Sequence, residues 1–340
     1  MNILITGGLG FIGLNSAIKF SENNKVHIID NLSRKGNLQN YELIKNNKNI
    51  ELHVKDIRNF FDMEKVFTSI RPDVIIHLAG QVAVTFSVKD PREDFEINAL
   101  GTFNILECIR KYTPDSILLF SSTNKVYGNY ETEITELEKK YAYKNVDGIT
   151  ESTPLDFHSP YGCSKGSADQ YVRDYHRIYG LKTVVLRQSC IYGENQFGIE
   201  DQGWVAWFTI ASNFGKKFFI FGDGKQVRDI LYVGDLVGLY EKIIDNIDLC
   251  AGEIYNVGGG PNNTLSLLEL IDYLESQNSS SLNYSYDEWR PGDQKIYVSD
   301  ITKLKETIGW EPSTSVHSGL KILDSWVKNN EEKFRILNLI

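Results

Sequence analysis

The sequence predicts a doubly wound α/β fold, a parallel sheet with helices on both faces carrying a smaller, discontinuous α/β unit. Two observations predict it. Short β-branched runs alternate with longer amphipathic stretches through the first half, and the pattern turns irregular after Arg187. The strand candidates of the first half are Asn2–Thr6, Lys25–Asp30, Ile50–Lys55, Val74–Leu78, Ile117–Ser121 and Thr183–Arg187. Helical patterns lie between them at Phe11–Asn23, Met63–Ile70, Asp94–Lys111 and Tyr161–Tyr179. Crossovers between parallel strands are expected to be right-handed.

In the second half Trp204–Phe214 reads as a helix and Phe218–Phe221 as a strand before the turn Gly222-Asp223-Gly224. Val233–Ile244 (helix) and Glu253–Val257 (strand) are expected to return to the first unit. Thr264–Ser276 reads as a helix opened by Thr264 and followed by a turn at Ser279–Ser281. The division expected is therefore 1–186 with 228–258 for one domain, and 187–227 with 259–340 for a second above the sheet's carboxyl edge.

Hydrophobic residues make up 41 % of the 340 and charged residues 24 %, the composition of a globular protein. No apolar run reaches the roughly 18 residues of a membrane span, and the opening Met1–Thr6 reads as a strand, so no leader is expected. Four dispersed cysteines form no CxxC pair, which argues against a disulfide framework or a zinc site and fits the cytoplasm. A net charge of −9 disfavours a nucleic-acid partner.

Gly7-Gly8-Leu9-Gly10-Phe11-Ile12-Gly13 places Gly7, Gly10 and Gly13 directly behind the first strand and at the start of a helix. Glycines let the backbone approach a pyrophosphate, which then sits at the positive end of the helix dipole. Asp30 closes the second strand, about 20 residues on, where a carboxylate binds the adenosine ribose hydroxyls. Together these give a Rossmann-type dinucleotide site. Asp30 repels a 2′-phosphate and favours NAD, while Arg34 and Lys35 keep NADP open. Asp56-Ile57 behind the third strand reads equally as an adenine contact or a surface acid.

Tyr161 and Lys165 are spaced i, i+4 and share a helix face. Ser121-Ser122-Thr123 ends the fifth strand at the carboxyl edge, where ligands of such sheets bind. A tyrosine with an ordinary pKa near 10 is a poor base; a nearby ammonium and a positive nicotinamide ring favour its phenolate. Such a phenolate takes a hydroxyl proton as hydride leaves the same carbon, with Thr123 holding the oxygen.

The glycine loop, Asp30, His77-Leu78-Ala79-Gly80, Asn98, Ser121-Ser122-Thr123 and the Tyr161/Lys165 pair together resemble the extended short-chain dehydrogenase/reductase family over nearly the whole chain. The resemblance implies NAD contacts from Gly7, Gly10, Phe11, Ile12, Gly13, Asp30, Asn31, Asp56, Ile57, Leu78, Ala79, Gly80, Asn98, Ser121, Tyr161 and Lys165. Asn98 would orient a proton-relay water or the helix around Lys165. It further implies a nucleotide-diphosphate sugar meeting Gln81, Thr123, Asn124, Cys190, Gln202, Arg228, Arg290 and Asp293. Arg228 and Arg290 would take the diphosphate and Asp293 the nucleotide ribose. A homodimer or homotetramer through the helices at Asp94–Lys111 and Tyr161–Tyr179 is implied, and no metal is expected.

Finer marks resemble the branch that epimerises nucleotide-linked deoxysugars at C2. They are Gly80-Gln81-Val82-Ala83, Thr123–Gly128, the long segment Asn129–Thr150, Asp156–Pro160 and Asp201–Trp204. Cys190 stands where the family has asparagine; it either makes room for a differently placed sugar or is neutral packing. Dehydration is disfavoured, because Asn124-Lys125 replace the Asp-Glu acid and base typical of dehydratases. A C4-epimerase, a steady-state dehydrogenase and a non-catalytic NAD-binding regulator are the remaining readings.

Overall fold

The computed structural model describes residues 1–340 apart from 129, 131, 279, 280, 291 and 292 and the side chain of 278. Its centre is a seven-stranded parallel sheet of β1 (Asn2–Thr6), β2 (Lys25–Asp30), β3 (Ile50–Val54), β4 (Val74–His77), β5 (Ile117–Thr123), β8 (Lys182–Gln188) and β12 (Ile254–Val257). The spatial order is β3-β2-β1-β4-β5-β8-β12, so the chain reverses direction across the sheet between β1 and β4. That switch point opens a crevice at the carboxyl ends of the strands, where a dinucleotide binds.

Both faces of the sheet are covered, because neighbouring residues of one strand enter opposite cores. Ile3, Ile5, Val26 and Ile28 pack under α1 (Phe11–Phe20), as do Leu236 and Leu239 of the helix Val233–Asp245. Leu4, Ile29, Ile75 and Phe120 pack against α3 (Phe60–Ile70), α6 (Gly101–Tyr112) and α7 (Ser159–Tyr179). The period of two in a strand makes this alternation obligatory. Between α1 and α3 lies α2 (Asn37–Ile44); α4 (Val84–Lys89) and α5 (Pro91–Phe95) precede α6.

A third core gathers Tyr192, Val205, Phe208, Phe218, Ile220, Ile230, Leu270, Leu323 and Phe334. It is built on β9 (Cys190–Tyr192), β10 (Phe218–Phe221), β11 (Val227–Tyr232), β13 (Thr264–Ser266), β14 (Tyr284–Asp287) and β15 (Ile296–Tyr297). The remaining strands, β6 (Ile134–Glu136) and β7 (Tyr141–Tyr143), form a hairpin.

Three features depart from the sequence reading. β11 bonds to β9, β13 and β15, so residues 228–232 sit in the smaller sheet and not with the cofactor strands. Thr264 opens a strand; the cap is Ser266, whose Oγ accepts from Glu269 N at 3.1 Å while Glu269 Oε2 accepts from Ser266 N at 2.9 Å. This reciprocal capping box starts the helix at Leu267. The helix expected over Asp94–Lys111 is interrupted by a π-helical turn at Glu96–Leu100. The turn at Ser279–Ser281 falls largely outside the described residues. Within the long segment Asn129–Thr150, the β6–β7 hairpin bonds Tyr141 N to Lys225 O (3.0 Å), and Ile149 N bonds Val298 O (2.8 Å).

Candidate active site

The glycine loop closes tightly on itself. Gly13 lies so close to the loop that a Cβ there would stand 2.3 Å from Gly7 O, so no other residue fits. Phe11 and Ile12 open α1 half-buried, with the helix N-terminus facing the crevice. Asp30 is buried and accepts from Leu9 N (3.1 Å), Leu32 N (2.9 Å) and Asn37 Nδ2 (2.7 Å). It ties the glycine loop to the loop after β2, and a carboxylate's roughly four acceptor sites leave room for a ribose hydroxyl. These residues fit a dinucleotide.

On the adenine side, Asn31 donates to Asp56 Oδ2 (3.0 Å). Burial would raise the Asp56 pKa, but bonds from Arg58 and Asn31 outweigh it and hold it at about 2. Ile57 is buried in the core against Gly101 and its carbonyl accepts from Asn104 (2.9 Å), so its side chain is structural. Leu78, Ala79 and Gly80 follow β4 half-buried at the switch point. Arg34 lies within the electrostatic reach of Asp30, with burial lowering its pKa against the Tyr161 and Asp30 charges. Its guanidinium reaches across the cleft to Gln202 Oε1 (2.8 Å) and Gly80 O (3.2 Å).

Thr123, Tyr161 and Lys165 meet at the end of β5 and the first turns of α7. Gly166 allows this: Phe157 crosses the helix there, 2.3 Å from where a Cβ would sit. Lys165 Nζ donates to Ser121 O (2.5 Å) and stands 4.3 Å from the Phe120 ring centroid. Burial pushes its pKa down to about 8, with Asp169 and Asp94 opposing. Burial also raises the Tyr161 phenol above its ordinary value, against a hydrogen bond with Thr123. The Asp94 charge adds to that rise and the Arg34 charge opposes it.

Asn98 sits in the π-helical turn, fully buried, and holds two walls of the site together. Its Oδ1 accepts from Gln81 N (2.9 Å), and its Nδ2 donates to Gln81 O (3.1 Å) and Ser164 Oγ (3.1 Å). Gln81 in turn donates to the buried Asp94 (2.7 Å). A side chain placed by a π-turn commonly marks a functional site. Of the two roles implied, this geometry favours orienting the helix around Lys165.

Across the cleft, Arg228 Nη2 donates to Asp293 Oδ1 (2.8 Å). Arg290 stacks 3.8 Å above the Phe221 ring and pairs with Asp201 (3.3 Å). Cys190 Sγ accepts from Trp204 Nε1 (3.4 Å), so the room left by a small side chain is shared with that indole. Gln202 is engaged by Arg34, and Asn124 is buried beside Thr123. Sequence reasoning missed Lys125, which lies with Arg228, Asp293 and Cys190. The Thr123-Asn124-Lys125 string was the available signal.

Among the described residues, one group has converging metal-ligand atoms: His27, Glu51 and His53, on β2 and β3 rather than in the cleft. His27 Nδ1 and His53 Nε2 lie 3.2 Å apart, the distance of a hydrogen bond between neutral rings, and burial lowers the His27 pKa.

Fold and site together define a dinucleotide-dependent Rossmann enzyme with a Thr/Tyr/Lys centre facing a cationic cleft. The family model described as GDP-mannose 4,6 dehydratase matches residues 4–323, and the chain belongs to that family. It is 44 % identical over 337 residues to CDP-paratose 2-epimerase of Salmonella typhi, covering 97 % of this chain and 100 % of that one. UDP-glucose 4-epimerase of Thermotoga maritima, solved with UDP-glucose, superposes with a TM-score of 0.83 at 33 % identity, over 97 % of this chain and 100 % of the other. dTDP-glucose 4,6-dehydratase of Bacillus anthracis, solved in complex with NAD, gives 0.83 at 30 % identity over 99 % of each chain. No helix among the described residues is long and apolar enough to cross a membrane.

Proposed function

We propose that this chain is an NAD-dependent epimerase that interconverts CDP-paratose and CDP-tyvelose at C2. The observation that carries the reading is the 44 % identity to CDP-paratose 2-epimerase along the full length of both chains. The intact Thr123/Tyr161/Lys165 set supports an enzyme over a cofactor-binding regulator. Asn124 and Lys125, in place of an acid and a base, support epimerisation over loss of water.

A sugar carbon bearing only H and OH has no acidic proton, so inversion requires transient oxidation to a ketone. NAD, when bound, supplies the hydride acceptor and donor. Tyr161 takes the proton of the 2-hydroxyl, Thr123 holds that oxygen, and Lys165 favours the ionised phenol. Hydride return to the opposite face of the 2-keto sugar completes inversion. Arg228 and Arg290 hold the diphosphate while the ring turns, with Asp293 at the nucleotide ribose. Asp30 favours NAD over NADP, and the Arg34 guanidinium is already engaged by Gln202 and the Gly80 carbonyl.

In this reading 1–186 with 233–258 hold NAD, and the remainder, including β11, holds the nucleotide sugar. The enzyme acts in the cytoplasm as a homodimer or homotetramer. Phe103, Tyr171, Ile178 and Tyr179 leave an exposed apolar face on α6 and α7 that supports such pairing. The second reading is a C4-epimerase, favoured by the likeness to the UDP-glucose enzyme.

NMR of the products tests the choice. CDP-paratose is expected to convert to CDP-tyvelose without added cofactor. Conversion of UDP-glucose with CDP-paratose untouched supports the second reading instead.

A further inference from the structure

Lys125 occupies the short 3-10 turn Asn124–Tyr127 that follows β5, and its backbone N–H donates to Thr123 Oγ1 at 3.2 Å. Its main chain is thereby fixed to the catalytic hydroxyl. Its side chain runs toward the second unit, where Nζ donates to Gln294 Oε1 at 3.4 Å. Gln294 follows Asp293, the residue that already neutralises Arg228 at 2.8 Å. Among the described residues no carboxylate lies within ion-pair distance of Lys125, although the residue is half-buried. Burial and the Arg228 charge push its pKa down to about 8, against the pull of Asp293. A sequestered ammonium whose one bond is to a neutral amide is poorly compensated, and a strong anionic acceptor stabilises it.

The position of this cation limits which anion it meets. The residue's backbone N–H sits on the Thr123 hydroxyl, which in the epimerase reading holds the oxygen of the reacting carbon. Its Nζ reaches from there toward Gln294, with Arg228 and Asp293 acting on its charge. In a nucleotide sugar the group between the reacting carbon and the outer phosphate is the β-phosphate on C1. C2 is bonded directly to C1, so a reaction at C2 brings that phosphate close to Thr123, whereas C4 lies across the ring.

We propose that Lys125 binds the β-phosphate of the nucleotide sugar and fixes the sugar–phosphate junction about which the ketose turns. This rests on the epimerase reading above. It assigns Lys125 a substrate contact between Thr123 and Arg228, and it explains a lysine where a dehydratase needs a carboxylate. The junction must stay anchored while the ring presents its other face, and a point-like ammonium grips a phosphate without dictating the ring's orientation.

Calorimetric affinities of the NAD-loaded protein for CDP and for CMP test it, since only CDP carries a β-phosphate. Lys125→Met is expected to weaken CDP on the order of 10–100-fold and CMP less than about twofold, the scale of one lost charge-assisted bond. Lys125→Arg should recover much of the CDP affinity. Lys125→Gln, which keeps the side chain polar, should resemble Lys125→Met, and retained dinucleotide in each variant reports an intact fold. Equal loss for CDP and CMP, or no loss for either, overturns the proposal. If the wild-type protein ignores cytidine nucleotides but binds UDP and UMP, the nucleotide assignment falls. The same comparison with the uridine pair then decides the role of Lys125.

Discussion

Replacing Tyr161 by phenylalanine is expected to lower turnover on the order of 10²–10⁴-fold, the span that loss of a positioned acid–base group produces. Tyr161 is 7 % exposed, and phenylalanine keeps its ring volume, so the packing of α7 against β5 persists. What disappears is the oxygen that, in the proposed mechanism, receives the substrate proton. Thr123 still holds the sugar oxygen, and Lys165 still donates to Ser121 O, so nucleotide and dinucleotide affinity should change little. Turnover is followed by NMR and bound dinucleotide by its absorbance after denaturation. Near-normal turnover in this variant would exclude Tyr161 as the proton acceptor.

Asp169→Ala is expected to destabilise the fold by about 3–5 kcal/mol, the cost of stranding a buried charge. Asp169 lies one turn beyond Lys165 on α7 and is fully buried. Its carboxylate accepts from Arg187 Nε (3.0 Å) and Nη2 (2.9 Å) on β8 and from Ser122 Oγ (2.7 Å) on β5. Arg187 also donates to Tyr127 OH (3.0 Å), behind the turn that carries Lys125. Alanine leaves the guanidinium in the core with no counter-charge, and the anchor between the catalytic helix and both strands is lost. Urea unfolding measures it, and a change under about 1 kcal/mol would show that Arg187 finds another partner. Joint replacement, Asp169→Leu with Arg187→Met, should recover a large part of the loss.

The parts of the site that sequence revealed are those with a local code. Gly7, Gly10 and Gly13 read as a phosphate loop because the strand, the helix and Asp30 stand at fixed offsets around them. Tyr161 and Lys165 share a helix face by spacing alone, and α7 forms as expected. What was illegible depends on pairs far apart in the chain. Arg34 meets Gln202 across a separation of 168 residues, so nothing near Arg34 distinguishes a cleft-spanning clamp from a 2′-phosphate ligand. Lys125 read only as the replacement of a dehydratase's base, and it is Gln294, 169 residues later, that marks its side chain as reaching the second unit. β11 has the pattern of any buried strand, and only its pairing with β9, β13 and β15 assigns it to the smaller sheet. The π-turn at Asn98 was hidden because apolar periodicity over Asp94–Lys111 fits a continuous helix.

The most direct test of the account is the fate of the hydrogen on C2. CDP-paratose carrying deuterium at C2 is incubated with the enzyme in ordinary water and the CDP-tyvelose formed is examined by NMR. If Tyr161 takes the hydroxyl proton while the carbon's own hydrogen moves as hydride and returns to the other face, the deuterium stays at C2 with little exchange. Deuterium at C4 should then give no primary isotope effect on turnover. Washout of the C2 label into water would contradict the account by showing proton abstraction from carbon, and a primary effect from C4 would identify a 4-epimerase.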